Sequence, residues 1–435
     1  MDLKEILKNA GIVGAGGAGF PSYAKLADGA DTLLVNGAEC EPLLYTDYYL
    51  LKSELPLILC GISAVKDYLG VSLCKLSVKE HTAKRLGFTD GEDLGGAIVK
   101  VLADVYPTGD EITLIYESLG RVVKPGNLPI TAGVIVYNVE TLLNIGKAVK
   151  SGLPVTEKYL TVGGAINEPI IAKVPIGMKV SDLFNSIGVK VCEGQAVLDG
   201  GPSMGKIIDP YSSVVTKTTK GLLVLPETTT AVKVKRTDVK KSVARAETAC
   251  CQCMRCTDMC SRALLGYPLE PHKMVRTAIH AAELNPQAVL AATLCSGCGI
   301  CETLACCQGI SPRAVIAEYK ALLAKNKMRY VGNVPVEVKK EREYRKIPSE
   351  RWEAALGVKK YDKVPEYIGK INAKEVSVLL KGHIGAPSVS CVADGVKVTA
   401  GDKIADAAEG LSLPQYASVS GTAYNFSGSV VIKGE

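Results

Sequence analysis

Two runs of closely spaced cysteines constrain this 435-residue chain more than any other feature of its sequence. The first run holds Cys250, Cys253, Cys256 and Cys260, and the second holds Cys295, Cys298, Cys301 and Cys306. A cubane [4Fe–4S] cluster needs four thiolates, and three cysteines spaced C-x2-C-x2-C reach three irons from a single loop. Because both runs have this spacing, the sequence predicts two [4Fe–4S] clusters.

The fourth ligand of each cluster has to come from elsewhere. In two-cluster ferredoxins the last cysteine of each run binds the other cluster, so we assign Cys306 to the first-run cluster and Cys260 to the second-run cluster. Two features depart from the usual pattern: Ser261 replaces the usual proline, and the last interval of the second run has four residues. Cys251 and Cys307 are therefore alternative ligands. Structural zinc also uses C-x2-C pairs, but a zinc site needs only four ligands, and the third cysteine that extends each pair to C-x2-C-x2-C would have no role in it.

The composition is that of a folded protein with two to four domains. Hydrophobic residues make up 47% of the chain and charged residues 22%, and the net charge of +6 is small and spread along the sequence. This charge does not indicate nucleic-acid binding. No apolar run reaches the roughly eighteen residues of a membrane span, and the start lacks a signal-peptide layout. We therefore expect a cytoplasmic protein whose non-ligand cysteines stay reduced.

A glycine-rich loop follows the first predicted helix. Residues 3–9 have helical periodicity, and residues 11–21 then include Gly14, Gly16 and Gly17. Glycines let the backbone approach a ligand closely, and a following helix offers free N–H groups to a phosphate. In the Rossmann fingerprint a strand precedes the glycines. Here a helix precedes them, so an ordinary Rossmann site is disfavoured.

Strands and helices alternate over the next hundred residues, which indicates an α/β fold. We predict strands at 32–36, 71–78 and 133–138 and helices at 94–105 and 115–119. Asn36, Glu39 and Glu41 follow the first of these strands, and Asn138, Glu140 and Thr141 follow the last. Ligands of α/β folds usually bind at the carboxyl ends of the strands. These polar residues are therefore candidate binding residues.

Three motifs carry a resemblance to a known family. They are Gly14-Ala15-Gly16-Gly17-Ala18-Gly19-Phe20-Pro21, Asn36-Gly37-Ala38-Glu39-Cys40-Glu41-Pro42 and Asn138-Val139-Glu140-Thr141-Leu142. The chain resembles the flavin-carrying, NADH-binding subunit of respiratory complex I, and still more the C subunit of the Rnf complex and the PduS-type cobalamin reductases of bacterial microcompartments. The resemblance implies bound FMN with NADH stacked above it, and it matches Glu41 and Glu111 to the nicotinamide nucleotide. The full set of cofactor-binding residues that it implies is Gly14, Gly16, Gly17, Lys25, Asn36, Glu39, Glu41, Glu111, Asn138 and Thr141.

The resemblance also divides the chain into domains. Residues 1–150 are expected to form the FMN- and NADH-binding α/β domain, and residues 151–235 a β-grasp (SLBB-like) insert that acts as a packing module. Residues 236–330 are expected to form an α-helical ferredoxin domain, because apolar residues recur at helical spacing between the cysteine runs. The residues that give this spacing are Met274, Val275, Ile279 and Ala282. His272 and His280 lie in the same stretch and are not assigned as ligands.

Two further segments complete the predicted architecture. Residues 331–372 are expected to be a charged linker, and its densest charge run, 339–346, to be solvated, with a docking strip as the alternative. Residues 373–435 alternate in strands and turns. They resemble the barrel-sandwich hybrid domain found at the N-terminus of the Rnf C protein. Its position after the other domains is the order found in PduS-type proteins.

An FMN and two clusters on one chain have a direct chemical use. NADH gives up two electrons as a hydride whereas a cluster accepts one, so a flavin has to stand between them. We predict an NADH-dependent oxidoreductase that passes single electrons to an acceptor, with a corrinoid as the first candidate. The alternatives are an Rnf-like electron-input component of another complex and a cluster-bearing scaffold without turnover. No acid–base residue is assigned.

The predicted partners follow from this chemistry. They are NADH and either a corrinoid or a protein electron acceptor, and a microcompartment shell protein or an adenosyltransferase is a further candidate. Residues 2–10 are either a short targeting helix for a microcompartment lumen or, more simply, the first helix of the flavin domain. Neither a nucleic acid nor a membrane span is predicted, and the oligomeric state is left open.

Overall fold

A four-stranded parallel sheet forms the centre of the first region in the computed structural model, which describes residues 2–280, 285–332 and 336–434. The elements of this region are α1 (Leu3–Asn9), β1 (Thr32–Asn36), α2 (Thr46–Ser53), α3 (Leu55–Leu69), β2 (Leu73–Lys79), α4 (Glu80–Leu86), β3 (Ile98–Leu102), β4 (Val105–Tyr106), α5 (Glu111–Leu119), β5 (Val134–Asn138) and α6 (Val139–Ser151). The strand order is β3-β2-β1-β5. All the carboxyl ends therefore lie at one edge of the sheet, as in other α/β folds.

Helices α3 and α6 cross at two glycines. A Cβ at Gly61 would lie 2.1 Å from the Leu142 carbonyl oxygen, and a Cβ at Gly146 would lie 2.0 Å from the Leu57 oxygen. Only glycine permits this approach. Among the described residues no single helix is long and apolar enough to cross a membrane; α2 and α3, bent by 92° at their junction, meet that test of length and composition only as a pair.

The structure corrects one secondary-structure prediction in this region. The helix predicted over 94–105 is wrong, because these residues contain strands β3 and β4. Ile98, Val99 and Val101 are β-branched residues, which favour a pleated strand over a helix. Gly95 and Gly96, with φ of +89° and +98°, turn the chain immediately before the strand. The predicted helix over 3–9 and the predicted strands at 32–36 and 133–138 are confirmed.

A second, six-stranded sheet follows. Its region contains β6 (Glu157–Gly164), β7 (Ile170–Pro175), α7 (Val180–Ser186), β8 (Gln195–Asp199), β9 (Lys206–Ile208), β10 (Gly221–Pro226) and α8 (Thr230–Lys233). The strand order is β12-β7-β6-β10-β8-β9, where β12 (Glu366–Lys370) comes from much later in the chain. A mixed sheet carrying a helix is compatible with the predicted β-grasp insert, and that finer assignment stays a prediction.

The cysteine region is built from helices. They are α9 (Val239–Ala249), α10 (Arg255–Asp258), α11 (Ser261–Leu264), α12 (Pro271–Ile279), α13 (Pro286–Ala291) and α14 (Pro312–Lys325). Asn285 caps α13, because its side chain accepts a hydrogen bond from the Ala288 N–H at 3.1 Å. The described residues of 236–330 contain no strand, and the predicted apolar position Ala282 lies outside the described residues.

The charged segment after residue 336 is not a solvated linker. It contains a 3₁₀ turn (Lys340–Arg345), β11 (Ile347–Pro348), α15 (Ser349–Leu356) and β12. Strand β11 pairs with β4 of the first region, and the buried Arg342 forms an ion pair with Glu117. The segment is therefore folded, and the expectation of solvation fails at Arg342. Most of the run 339–346 is exposed, however, as expected of a solvated segment, and the docking alternative stays a prediction.

The last region is a small all-β unit. Its strands are β13 (Glu375–Leu379), β14 (Val389–Ser390), β15 (Val396–Val398), β16 (Lys403–Asp406), β17 (Gln415–Tyr416), β18 (Gly421–Phe426) and β19 (Ser429–Gly434), arranged in two small sheets. This region contacts the start of the chain: the Ile384 N–H donates to the Gly19 oxygen at 3.0 Å, and the Tyr416 hydroxyl donates to the Asn9 oxygen. It also buries apolar side chains against the second sheet.

Candidate functional site

Two asparagines lie side by side at the carboxyl edge of the first sheet. Asn36 ends β1 and Asn138 ends β5, and the two are paired in register. The Asn36 amide donates to the Gly109 oxygen at 3.0 Å. The Asn138 amide donates to Asp47 Oδ2 at 2.9 Å, while its oxygen accepts from the Glu140 N–H and caps α6. Both side chains are therefore held in fixed orientations.

The glycine-rich loop is pinned against this edge. Its two ends pair as a bridge between Val13 and Pro21, and the Ala15 N–H donates to Thr141 Oγ1 at 3.0 Å. A Cβ at Gly16 would lie only 3.2 Å from the Asn138 Cβ, whereas a Cβ at Gly17 would meet nothing within 4 Å. The loop thus approaches Asn138 at Gly16 and leaves its backbone open at Gly17, as expected of a loop that carries a ligand.

Lys25 and Glu111 form an ion pair beside the same strand end. The Lys25 ammonium lies 3.2 Å from Glu111 Oε1 and also donates to the Val136 oxygen at 3.1 Å. Glu111 is the first residue of α5, and its side chain is 41% exposed. Of the two glutamates matched to the nicotinamide nucleotide, this one remains accessible to a ligand.

Three charged side chains are buried next to the asparagines. The Lys220 ammonium lies 2.6 Å from Asp47 Oδ2 and 3.0 Å from Glu39 Oε2. Burial raises the pKa of Glu39 to about 7 despite the nearby cation, and the Asp47 charge contributes to this rise. Within the described part of the chain, Asp47 Oδ1 accepts no hydrogen bond. This buried oxygen at the sheet edge can therefore still accept a hydrogen bond from a ligand.

Glu41 points away from this edge, toward the loop at 200–205. Its two carboxylate oxygens accept the N–H groups of Ser203 at 2.8 Å and Met204 at 2.9 Å. A Cβ at Gly201 would lie 2.1 Å from Glu41 Oε2, so glycine makes room for the carboxylate. The structure thus gives Glu41 structural partners, and its assignment to the nucleotide stays a prediction.

The second cysteine run lines a buried cavity. Cys295, Cys298 and Cys301 share it with Cys260 from the end of the first run. Cys260, Cys298 and Cys301 are each 8% exposed, and burial raises the pKa of Cys260 to about 12 and that of Cys298 to about 11. The four thiols assigned to one cluster thus lie together, while the ligation itself stays a prediction.

The first run lines a cavity of its own at the surface. Cys250, Cys253 and Cys256 share it with Cys306, and Cys251, Cys307 and His272 also line it. The thiols of Cys251, Cys253 and Cys307 lie within 4.8 Å of one another and are exposed. The alternative ligands Cys251 and Cys307 therefore remain in reach of this cavity. His272 is held by Thr257, whose hydroxyl lies 2.7 Å from its Nδ1.

The two runs share one backbone conformation. Gln252 and Met254 in the first run have φ of +53° and +59°, and Gly297 and Gly299 occupy the equivalent places in the second run with φ of +80° and +81°. Left-handed backbone at a non-glycine residue costs about 1 kcal/mol. It turns N–H groups inward, and the Gly297 N–H donates to Cys295 Sγ at 3.3 Å. Both runs thus fold as the same thiol-presenting loop.

The second cavity is attached directly to the first region. The Tyr106 hydroxyl donates to the Cys298 oxygen at 2.7 Å, and Arg262 forms an ion pair with Asp110 at 2.8 Å. Tyr106 also stacks on Trp352 with 4.5 Å between ring centroids. The strand-end site and the buried cysteine cavity therefore belong to one connected body.

Ser203 joins four parts of the chain at a single residue. Its N–H donates to Glu41, its carbonyl oxygen accepts from Lys235 at 2.8 Å and Arg313 at 2.7 Å, and its hydroxyl accepts from Trp352 Nε1 at 2.9 Å. Burial lowers the pKa of Lys235 to about 8. This hub lies between the first region, the cysteine helices and α15.

The donor sets fit the expected groups. The buried cavity of the second run offers four thiols and the surface cavity of the first run offers six. Among the described residues neither a histidine nor a carboxylate lines the buried cavity, which suits an iron–sulfur cluster. At the sheet edge, the close approach at Gly16 and the free acceptor Asp47 Oδ1 suit a ligand that carries N–H or hydroxyl donors. The isoalloxazine and ribityl groups of FMN are such donors.

Sequence reasoning missed several residues of this site. Asp47 and Lys220 were not predicted, although Lys220 ends the conspicuous run Val215-Thr216-Lys217-Thr218-Thr219-Lys220. Tyr106, Arg262 and Trp352 were also missed. Each acts through a partner more than 90 residues away in sequence, so spacing alone gave no signal.

Comparison with known families divides the chain along these lines. Residues 7–147 match the Nuo51 FMN-binding domain, residues 249–311 match a 4Fe-4S dicluster domain, and residues 359–434 match the RnfC barrel sandwich hybrid domain. The coarse architecture predicted from the sequence is therefore confirmed.

Relatives that match over almost the whole chain show which family it belongs to. The chain is 37% identical to cobalamin reductase PduS of Citrobacter freundii over 96% of this chain and 93% of that protein, and 38% identical to PduS of Salmonella typhimurium over 97% and 93%. It is 33% identical to the C subunit of the Na(+)-translocating ferredoxin:NAD(+) oxidoreductase complex of Acetobacterium woodii, over 59% of this chain and 57% of that one. The chain therefore belongs to the PduS cobalamin reductase family.

Proposed function

We propose that this protein oxidises NADH at a bound FMN and delivers single electrons through two [4Fe–4S] clusters to a corrinoid. The observation that carries the proposal is the direct attachment of the buried cysteine cavity to the α/β region through Tyr106 and Asp110. An electron carrier is useful only when it lies close to the site that supplies the electrons. The relatives named cobalamin reductase support the corrinoid as acceptor.

The bound groups supply the redox chemistry and the chain supplies their setting. FMN accepts the two electrons of a hydride and can release them singly, and each cluster carries one electron. Asn36, Asn138 and Thr141 would hold the flavin at the sheet edge, since Thr141 fixes the glycine loop there through the Ala15 N–H, and the loop approaches Asn138 at Gly16. The cysteines of each cavity would hold one cluster. Burial of the second cavity would exclude water from its cluster.

The nicotinamide nucleotide has one accessible glutamate to bind. Glu111 lies at the first position of α5, partly exposed and paired with Lys25. An ion pair of this exposure contributes little stability, so a ligand can displace it at small cost. We therefore keep Glu111 as an orienting residue for NADH. Glu41 is already bonded to the 200–205 loop.

The identity of the electron acceptor distinguishes this proposed function from the Rnf-like alternative. An Rnf-like role, with a protein partner in place of a corrinoid, is supported by the similarity to the Acetobacterium woodii protein over a little more than half of each chain. The PduS relatives match over almost the whole length, which favours the corrinoid. A cytoplasmic location, with or without enclosure in a microcompartment, and contacts with a shell protein or an adenosyltransferase belong to the same proposal.

The test is anaerobic reduction by NADH followed by a screen of acceptors. Protein purified without oxygen is expected to show flavin absorbance that bleaches with NADH, and aquacobalamin is expected to restore it. Reoxidation by ferredoxin but not by the corrinoid would favour the Rnf-like role. Absence of flavin absorbance would leave only a cluster-bearing scaffold and would overturn the proposal.

A further inference from the structure

Lys220 occupies an unusual place between the second region and the sheet edge. It comes immediately before β10, yet its side chain enters the first region and is only 12% exposed. Its ammonium lies 2.6 Å from Asp47 and 3.0 Å from Glu39. Among the described residues it is the only cation within ion-pair distance of either carboxylate.

The backbone of Lys220 is fixed as firmly as its side chain. Its carbonyl oxygen accepts from the Thr161 N–H at 3.2 Å and from the Thr46 hydroxyl at 3.2 Å. Thr46 is the first residue of α2 and directly precedes Asp47. The lysine therefore holds the first turn of α2 at two points, one by its carbonyl group and one by its ammonium.

Asp47 passes this restraint on to the strand end. Its Oδ2 atom accepts from both Lys220 and the Asn138 amide, the latter at 2.9 Å. The Asn138 side chain has its oxygen committed to the cap of α6. Its amide donates to Asp47 at 2.9 Å and, at the longer distance of 3.3 Å, to the Asn36 carbonyl oxygen, so the carboxylate is its shorter restraint. A continuous chain of polar contacts thus runs from Lys220 through Asp47 to Asn138.

We propose that Lys220 is a positioning residue of the flavin site, which holds Asp47 and Asn138 in place and offsets the negative charge of the Asp47 and Glu39 carboxylates where the flavin would bind. This inference rests on the proposed function, because it concerns the flavin that the sheet edge would bind. It assigns a role to the second region, for which the sequence predicts a packing module only.

The charges of the group agree with this role. Burial alone would lower the pKa of Lys220, but the Asp47 and Glu39 carboxylates more than offset it and raise that pKa above its usual value. Lys220 therefore stays charged at neutral pH. Removing it would leave Asp47 buried without its cation, and additional negative charge disfavours an anionic reduced flavin.

The experiment compares Lys220→Met with Lys220→Arg in the full chain, with clusters intact. FMN is removed and titrated back to give its Kd, and the flavin midpoint potential is measured by spectroelectrochemistry. Lys220→Met is expected to raise the Kd by at least about tenfold and to shift the flavin potential to a more negative value. Lys220→Arg keeps the charge and is expected to restore the Kd to within about threefold.

A second variant guards against simple loss of folding. Asp47→Asn keeps an acceptor for Asn138 and removes the carboxylate, so Lys220→Met combined with Asp47→Asn leaves no charge at residue 47, and Glu39 is then the one carboxylate of the group that has lost its cation. If Lys220 acts through Asp47, the effects of the two changes on the Kd are non-additive. Strictly additive effects would overturn the proposal, as would an unchanged Kd and potential in Lys220→Met.

A matched control is available in the same region. Lys173 forms a partly buried ion pair with Glu157 at 2.5 Å near the start of β6, away from the sheet edge. Lys173→Met is expected to leave both flavin properties unchanged. Failure of the wild-type chain to bind FMN would refute the proposed function, whereas normal FMN binding in Lys220→Met would refute only this inference.

Discussion

Asn138 donates a hydrogen bond to the Asn36 carbonyl oxygen at 3.3 Å, across the ends of two adjacent parallel strands. This contact joins the two motifs that the sequence places about a hundred residues apart. Asn138 also lies against the glycine loop at Gly16. Substitutions of Asn138 therefore test the flavin site directly.

Asn138→Ala is expected to weaken FMN binding and to destabilise α6. The side chain caps the helix by accepting the Glu140 N–H at 3.0 Å, and losing such a cap costs about 1 kcal/mol. Asn138→Ser keeps a capping oxygen but no amide, so its stability should stay near wild type while FMN binding still falls. Urea unfolding and FMN titration measure the two effects. Equal FMN affinity in all three proteins would remove Asn138 from the site.

Single cysteine substitutions should separate the two clusters. Cys260→Ser is expected to remove the cluster of the second cavity, and Cys306→Ser that of the first, because each cysteine lies with three thiols of the other run. In each case iron and acid-labile sulfide should fall by about half, and one of two EPR signals should disappear. Cys192, exposed and distant in sequence from both runs, provides the control as Cys192→Ser. Retention of both signals in Cys306→Ser would contradict its assignment and point to Cys251 or Cys307, which line the same cavity.

Glu41→Ala tests whether this glutamate is structural. The change would leave the Ser203 and Met204 N–H groups without their carboxylate. Ser203 is buried, and an unsatisfied buried donor costs about 1–3 kcal/mol, whereas Met204 is exposed and water can replace the carboxylate there. Glu41→Gln keeps one acceptor oxygen and should lose less. The free energy of unfolding of flavin-free protein and the KM for NADH are compared. Unchanged stability together with a raised KM would support the nucleotide-binding role instead.

Lys217 should make stability depend on pH. It is buried, its ammonium donates to the Gly11 oxygen at 2.9 Å, and burial lowers its pKa from 10.5 to about 7. Between these two values the unfolded chain holds a proton that the folded chain lacks, so stability rises with pH. Relative to Lys217→Met, the wild type should gain on the order of 3 kcal/mol from pH 7 to 10. A flat difference across this range would show that the lysine stays charged.

The crossing of α3 and α6 predicts a strict requirement for glycine. Gly61→Ala would bring a methyl group to 2.1 Å from the Leu142 oxygen, so the helices would have to separate. Overpacking of this kind costs about 1–3 kcal/mol. Gly70→Ala is a useful comparison, because a Cβ there would meet nothing within 4 Å although its φ is +66°. Thermal unfolding should show the larger loss at Gly61.

Local patterns in the sequence predict the parts of this protein that depend on local physics. The strands predicted at 32–36 and 133–138 are confirmed, and the family matches confirm the domain types that the glycine loop and the cysteine spacing indicate, because each signal follows from neighbouring residues. The helix predicted at 94–105 is wrong, because a β-branched run that follows two glycines favours a strand. The expectation of a solvated segment fails at Arg342, because the carboxylate that pairs with it, Glu117, belongs to a helix far away in sequence.

The candidate site shows the same division. Asn36, Asn138 and Thr141 meet because parallel strands share one carboxyl edge, which the sequence can predict. Lys220 reaches that edge from another region of the chain. The role of Glu41 likewise depends on the loop of Ser203. Polar residues that become partners only through tertiary packing leave no periodicity or spacing in the sequence from which the pair could be predicted.

The contact between the last region and the start of the chain has an architectural consequence. Ile384 contacts Gly19 and Tyr416 contacts Asn9. The barrel-sandwich unit is therefore packed against the first twenty residues of the flavin region. A rearranged gene that encoded this unit first would need only a new connecting peptide, as in a circular permutation. Order along the polypeptide and location in space are therefore separable here.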